Sequence, residues 1–134
     1  MPLVRLVMPL VRIDAPPTHE DATLAALGDA VHQAMTETID VPKDDFFQVI
    51  HRHEAGQVRY DPGYLGISRD DGIVFISLTM RVGRRNAQKK ALYARIAELA
   101  RERAGIEPRN VFVSITETRE ADWSFGEGVA QYLE

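Results

Sequence analysis

Apolar positions change their spacing several times along the chain, and each change marks an element. From Leu3 to Ile13 the β-branched residues and the absence of a helical stripe predict an extended strand, closed by Ala15, Pro16 and Pro17. Thr18 followed by Asp21 has the spacing of a capping box with Asp in place of Glu. Leu24, Leu27, Val31, Ala34 and Met35 then recur at helical spacing, which predicts a helix from about His19 to Thr38 with that face buried and Pro42 as its stop. Phe46 to His53 reads as a strand. The stretch holding Gly56, Pro62, Gly63 and Gly66 is the longest irregular piece, of the kind that frames sites. The second half repeats the grammar: a strand over Ile73 to Met80, a helix over Asn86 to Ala104 with Leu92, Ile96 and Leu99 on one face, and a strand over Val111 to Ile115. Gly105 and Pro108 separate the last two.

Two successive strand-helix-strand units predict an α+β fold, with a four-stranded mixed sheet and both helices on one face. Right-handed crossovers would join the parallel strands within each unit. The other sheet face then lacks a cover, and because bare apolar surface is costly in water, subunits are expected to supply it for one another. A length of 134 residues with 45% hydrophobic content suits one core, so residues 1–134 are read as a single domain, with 119–134 as a C-terminal arm.

Composition narrows the function. A formal charge of -4 draws the chain toward neither nucleic acid nor an anionic membrane, and favours a small-molecule role. The absence of cysteine removes disulfides, thiolate nucleophiles and Cys-ligated zinc, and fits a reducing, cytoplasmic location. The opening MPLVRLVMPLVRID has no long apolar stretch and no small-residue cleavage site, so it does not read as a signal peptide, and no run approaches the roughly 20 apolar residues of a membrane span.

Four separated pieces carry a resemblance: MPLVRID from Met8, VPKDDFFQVI, the arginines of MRVGRRNAQKK, and DWSFGEG near the end. Together, in this order and spacing, they resemble the malonate semialdehyde decarboxylases and their relatives in the tautomerase superfamily. The resemblance implies the tautomerase (MIF-like) fold, a homotrimer with active sites at subunit contacts, and no cofactor. It implies an amino-terminal catalytic proline at Pro9, an acidic helper at Asp45, substrate-binding arginines at Arg81 and Arg84, and pocket walls at Trp123 and Phe125. In the best-known form of the family one residue separates the arginines, whereas here Val82 and Gly83 both intervene, which leaves Arg84 and Arg85 as alternative partners of Arg81.

A terminal proline is a secondary amine that can accept a proton, donate one or add to a carbonyl; an internal proline nitrogen is an amide without a hydrogen and does none of these. Its α-amino group titrates near neutrality, at roughly 7.7–8.0 in reference compounds, so its surroundings decide its charge. As a cation it would polarise the carbonyl of a 3-oxo acid, or form an imine with it, while the arginines hold the departing carboxylate. As a neutral base it would remove a proton beside the carbonyl of a phenylpyruvate-like 2-oxo acid, which is keto-enol tautomerase chemistry. Hydration of an unsaturated acid, with Asp45 activating water, is a third activity within the family. A non-catalytic binding or oligomerisation module is the reading outside the enzyme class, since fold alone does not fix function.

The first seven residues, MPLVRLV, nearly duplicate MPLVRID, so the free amine falls on Pro2 if Met1 is the start and on Pro9 if Met8 is. Pro9 is read as the functional equivalent, and residues 1–7 as a start-site error, a cloning feature or a genuine extension. Among plainer readings, Lys89 and Lys90 belong to a solvated face, and His19 and His32 have no constellation around them. Gly126 and Gly128 form no phosphate loop. His51 and His53 alternate with Arg52 on a strand and share a face, but no third ligand is evident in the sequence, so no metal site is expected.

Overall fold

The computed structural model describes residues 9–133. Its elements run β1 (Leu10–Ala15), α1 (Asp21–Thr38), β2 (Gln48–Arg52), β3 (Val74–Arg81), α2 (Asn86–Ala104) and β4 (Val111–Thr118), with short 3-10 turns at Tyr64–Gly66, Pro108–Asn110, Glu120–Asp122 and Gln131–Leu133. The strands form one sheet in the order β2-β1-β3-β4. β1 lies parallel to β2 and β3 parallel to β4, while the central pair β1 and β3 is antiparallel, so the sheet is mixed as expected.

Alternation along the strands sorts the two faces. Val11, Ile13 and Ala15 of β1 and Val74, Ile76, Leu78 and Met80 of β3 are buried, and they join Leu24, Leu27, Val31 and Met35 of α1 and Leu92, Ile96 and Leu99 of α2 in one core. The helical stripes read from the sequence are the ones that pack. Leu27 and Ile96 are fully buried, and truncating either to alanine would cost about 2–5 kcal/mol. α2 stops at Gly105, whose φ of 68° suits a residue without Cβ and whose N–H reaches the carbonyls of Ala100 and Arg101.

Leu10, Arg12 and Asp14 point to the opposite face together with Ser77 and Thr79 of β3, Ser114 and Thr116 of β4, and Val49 and His51 of β2. Leu10, Val49 and Phe112 are exposed there, so this face lacks a cover among the described residues.

Several boundaries differ from the pattern reading: β2 spans only Gln48–Arg52, and β3 is shifted by one residue to Val74–Arg81. β1 runs on to Ala15 because Asp14 still pairs with Phe75 and Ala15 with Arg52. β4 runs three residues past Ile115, since Thr116, Glu117 and Thr118 stay paired with Thr79, Met80 and Arg81. The capping box does not form: Glu20 is the N-cap without a side-chain hydrogen bond, and the Thr18 hydroxyl instead donates to the carbonyl of Asp71. The expected strand residues from Leu3 to Met8, the 1–7 extension and Pro2 lie outside the described residues. Among the described residues no helix is long and apolar enough to cross a membrane.

Candidate active site

Antiparallel pairing of β1 with β3 sets Leu10 against Thr79, so the start of β1 lies at the end of the sheet where β3 finishes in Arg81 and β4 in Thr118. Pro9, immediately before β1, is buried at this end. It lines a cleft of about 240 Å³ with Leu10, Phe47, Trp123, Ser124 and Phe125. This is below the roughly 300–1,000 Å³ of drug-sized ligand pockets and suits a small molecule.

The aromatic wall comes from an irregular segment, yet its rings are fixed. The Trp123 indole N–H donates to Thr118 Oγ1 at 2.6 Å. Phe125 stacks on Trp123 with centroids 5.4 Å apart, and Tyr132 meets Phe125 edge-on at 4.9 Å. Gln131 closes the loop, accepting from the Phe125 N–H at 2.9 Å and donating to the Gly126 carbonyl at 2.9 Å.

The arginine pair depends on a turn between its members. Gly83 has φ 135°, a left-handed conformation that disfavours any side chain, and it bends the chain between Arg81 at the end of β3 and Arg84 before α2. Burial lowers the Arg84 pKa from its ordinary value; the Arg81 charge acts in the same direction and Asp40 opposes both. The Arg84 Nη2 donates to the Ile39 carbonyl at 3.3 Å, while its buried Nε has no hydrogen-bond partner among the described residues. Arg85 is exposed at the N-cap of α2, with its backbone N–H bonded to Gln88 Oε1. Arg84 thus lies within reach of the Arg81 charge.

Asp45 follows a turn in which its N–H donates to the Pro42 carbonyl at 3.0 Å, but it is not a surface turn residue: it is 6% exposed. Burial pushes the Tyr132 phenol up to about 12, helped by the Asp45 charge and opposed by Arg81, so these three groups share one neighbourhood. Arg81 also forms an ion pair with Glu120, with Nη2 to Oε2 at 2.7 Å and Nε to the same oxygen at 3.1 Å. The hydrogen bond from Arg81 holds the Glu120 carboxyl below its usual range.

The structure thus gathers Pro9, Trp123 and Phe125 around one cleft, sets Tyr132 against Phe125 within reach of the Asp45 and Arg81 charges, and couples Arg84 to Arg81. The sequence reading did not name Phe47, Ser124 or Glu120. For Glu120 no local signal exists, because its partner lies 39 residues away.

Comparisons with known proteins agree with this architecture. Two family models, each described as "Tautomerase enzyme", match residues 45–126 and 9–66. The chain is 39% identical over 127 residues to the probable tautomerase YusQ of Bacillus subtilis (strain 168), across 95% of this chain and 100% of that protein. It is 35% identical to the probable tautomerase YrdN of the same organism, across 94% of this chain and 97% of that one. Among solved structures, a malonate semialdehyde decarboxylase superposes with a TM-score of 0.85 at 31% identity, covering 92% of this chain and 95% of that one. A fused 4-OT wild-type symmetric trimer, at 19% identity, shares the fold with a TM-score of 0.73 over 92% of this chain and 98% of that one. With family matches that begin at Pro9 and run through the aromatic segment, and with relatives above 30% identity along nearly their whole lengths, the chain belongs to the tautomerase superfamily of enzymes.

Proposed function

We propose that the chain is a cofactor-free decarboxylase of small 3-oxo carboxylic acids, with Pro9 as its catalytic amine and malonate semialdehyde as the type of substrate. The observation that carries this reading is the shared cleft of Pro9, Trp123 and Phe125. Arg81 and Arg84 hold the substrate carboxylate through charge-assisted hydrogen bonds. The Pro9 cation, favoured by the negative charge of Asp45, polarises the 3-carbonyl as the carbon–carbon bond to the carboxylate breaks. The electron pair left by carbon dioxide forms the enolate of the aldehyde, which takes the proton of the Pro9 cation at carbon to give acetaldehyde, and Pro9 regains its proton from water. Trp123 and Phe125 present an apolar wall on which neutral carbon dioxide is better accommodated than the carboxylate. Identity of 31% and 34% to two malonate semialdehyde decarboxylases supports this reading.

The second reading, keto-enol tautomerisation of a phenylpyruvate-like 2-oxo acid by neutral Pro9, is favoured by the two relatives named as probable tautomerases. Hydratase activity belongs to the same frame, since one of the neighbouring decarboxylases is described with both activities. The uncovered sheet face fits a homotrimer, and the cysteine-free composition fits a cytoplasmic enzyme.

Either reaction needs Pro9 as the first residue after removal of Met8, and the family match that opens at residue 9 supports that start. The test compares protein begun at Met8 with protein begun at Met1, each checked by intact mass, for carbon dioxide release from malonate semialdehyde and for proton exchange in a 2-oxo acid. The Met8 form is expected to be at least about a hundredfold faster, the lower end of what a positioned acid or base contributes. Equal rates would remove Pro9 as the amine, and exchange without carbon dioxide release would replace the decarboxylase reading with the tautomerase one.

A further inference from the structure

His51 and His53 have no part in the cleft, yet the fold supplies the third partner that their sequence lacked. In the parallel pairing of β1 with β2, Asp14 stands directly opposite His51. His53 follows two residues on, held in line because its N–H donates to the Ala15 carbonyl at 2.7 Å. The three side chains converge on the uncovered face: His53 Nε2 lies 2.7 Å from Asp14 Oδ1, and the His51 and His53 rings stack with centroids 4.0 Å apart. One ligand atom from each lies within 4.8 Å of the other two.

We propose that Asp14, His51 and His53 form a binding site for a divalent transition-metal ion of the zinc type. Two imidazoles and a carboxylate are donors that such ions accept, and zinc bonds of about 2.0–2.2 Å place neighbouring donors about 3.4 Å apart. The pair His53–Asp14 is already closer than that, and the remaining gap to His51 closes by side-chain rotation at an exposed position. The metal takes the place of the hydrogen between His53 and Asp14. Arg12 stays on the carboxylate, donating from Nε to Oδ2 at 3.0 Å and from Nη2 to Oδ1 at 3.1 Å, and so orients the ligand as an outer partner. Its positive charge tempers the affinity. The ion crosslinks β1 to the edge strand β2, and its fourth position is left to water or to a donor from an adjoining subunit.

The test uses the full chain, freed of metal by chelator dialysis and titrated with Co²⁺, whose visible absorption reports imidazole and carboxylate ligation. One ion per chain is expected, displaced by Zn²⁺, together with a higher melting temperature in Zn²⁺. His51→Ala and His53→Ala should each abolish the tight phase, and Asp14→Asn should weaken it by at least about tenfold. His19→Ala and His32→Ala should leave it intact. Should either alanine variant unfold, the corresponding glutamine replacement, which keeps hydrogen-bonding capacity, takes its place with the same expectation. No saturable Co²⁺ spectrum in the parent protein, or a spectrum that survives His51→Ala, overturns the site.

Discussion

The two ends of the sheet carry hollows of similar size, about 240 Å³ beside Pro9 and about 200 Å³ beside Phe75 and Phe112, and both combine aromatic rings with nearby arginines. They differ in how the polar groups are satisfied. At the Phe75 end, Arg69 donates to the carbonyls of Tyr64 and Ile67, Arg109 is held by Glu107, Asp70 and the Ser68 carbonyl, and the Tyr60 hydroxyl donates to Asp71. At the Pro9 end, the buried Arg84 Nε and the Tyr132 hydroxyl find no hydrogen-bond partner among the described residues. Buried polar atoms rarely forgo partners, so these open donors single out the Pro9 end as the one to probe.

That contrast can be tested by removing arginines from each end. Arg81→Ala and Arg84→Ala should each lower kcat/KM for a carboxylate substrate by more than about tenfold, or about 1.4 kcal/mol of transition-state stabilisation. Unchanged steady-state kinetics in both would erase the distinction. A smaller effect is expected at Glu120, which occupies Arg81 in the absence of substrate: Glu120→Gln should lower KM by a few fold with little change in kcat, and a raised KM would mean that Glu120 orients Arg81 instead.

Tyr132 sharpens the comparison through pH. Its pKa is raised from 10.0 to about 12, so its neutral hydroxyl favours the fold fully below the unfolded value, and that contribution is lost as pH rises through the folded value. Ultraviolet titration should register one late phenol that Tyr132→Phe deletes; a Tyr132→Phe titration identical to that of the parent would contradict its burial at the cleft. The smallest effect belongs to Arg109→Ala, which should leave turnover unchanged and lower the melting temperature slightly, as read by calorimetry. A rate loss there would make the Phe75 hollow part of the catalytic apparatus.

Local patterns reveal some parts of this molecule and hide others. α2 was legible to the residue, because Leu92, Ile96 and Leu99 keep helical spacing and Gly105 ends it. The sheet followed from the repeated strand-helix-strand order. Thr18 misled because its hydroxyl is taken by a carbonyl 53 residues away, a partner that no local pattern specifies. In the site, Pro9, Asp45, Arg81, Arg84, Trp123 and Phe125 were named from a resemblance across four segments, and their physical roles remain for experiment. Glu120 and Phe47 could not be seen in that way, since Phe47 is brought to this end by the pairing of β1 with β2 and Glu120 by the fold-back after β4.

The antiparallel central pair sets a limit on how many catalytic corners such a protein can hold. It relates the two halves by an approximate dyad, so the beginning of β1 and the beginning of β3 occupy mirrored corners. A strand that begins in mid-chain cannot offer a basic main-chain amine, since a peptide bond precedes it. However many copies gather, corners bearing an amine of the proposed kind can be no more numerous than polypeptide starts.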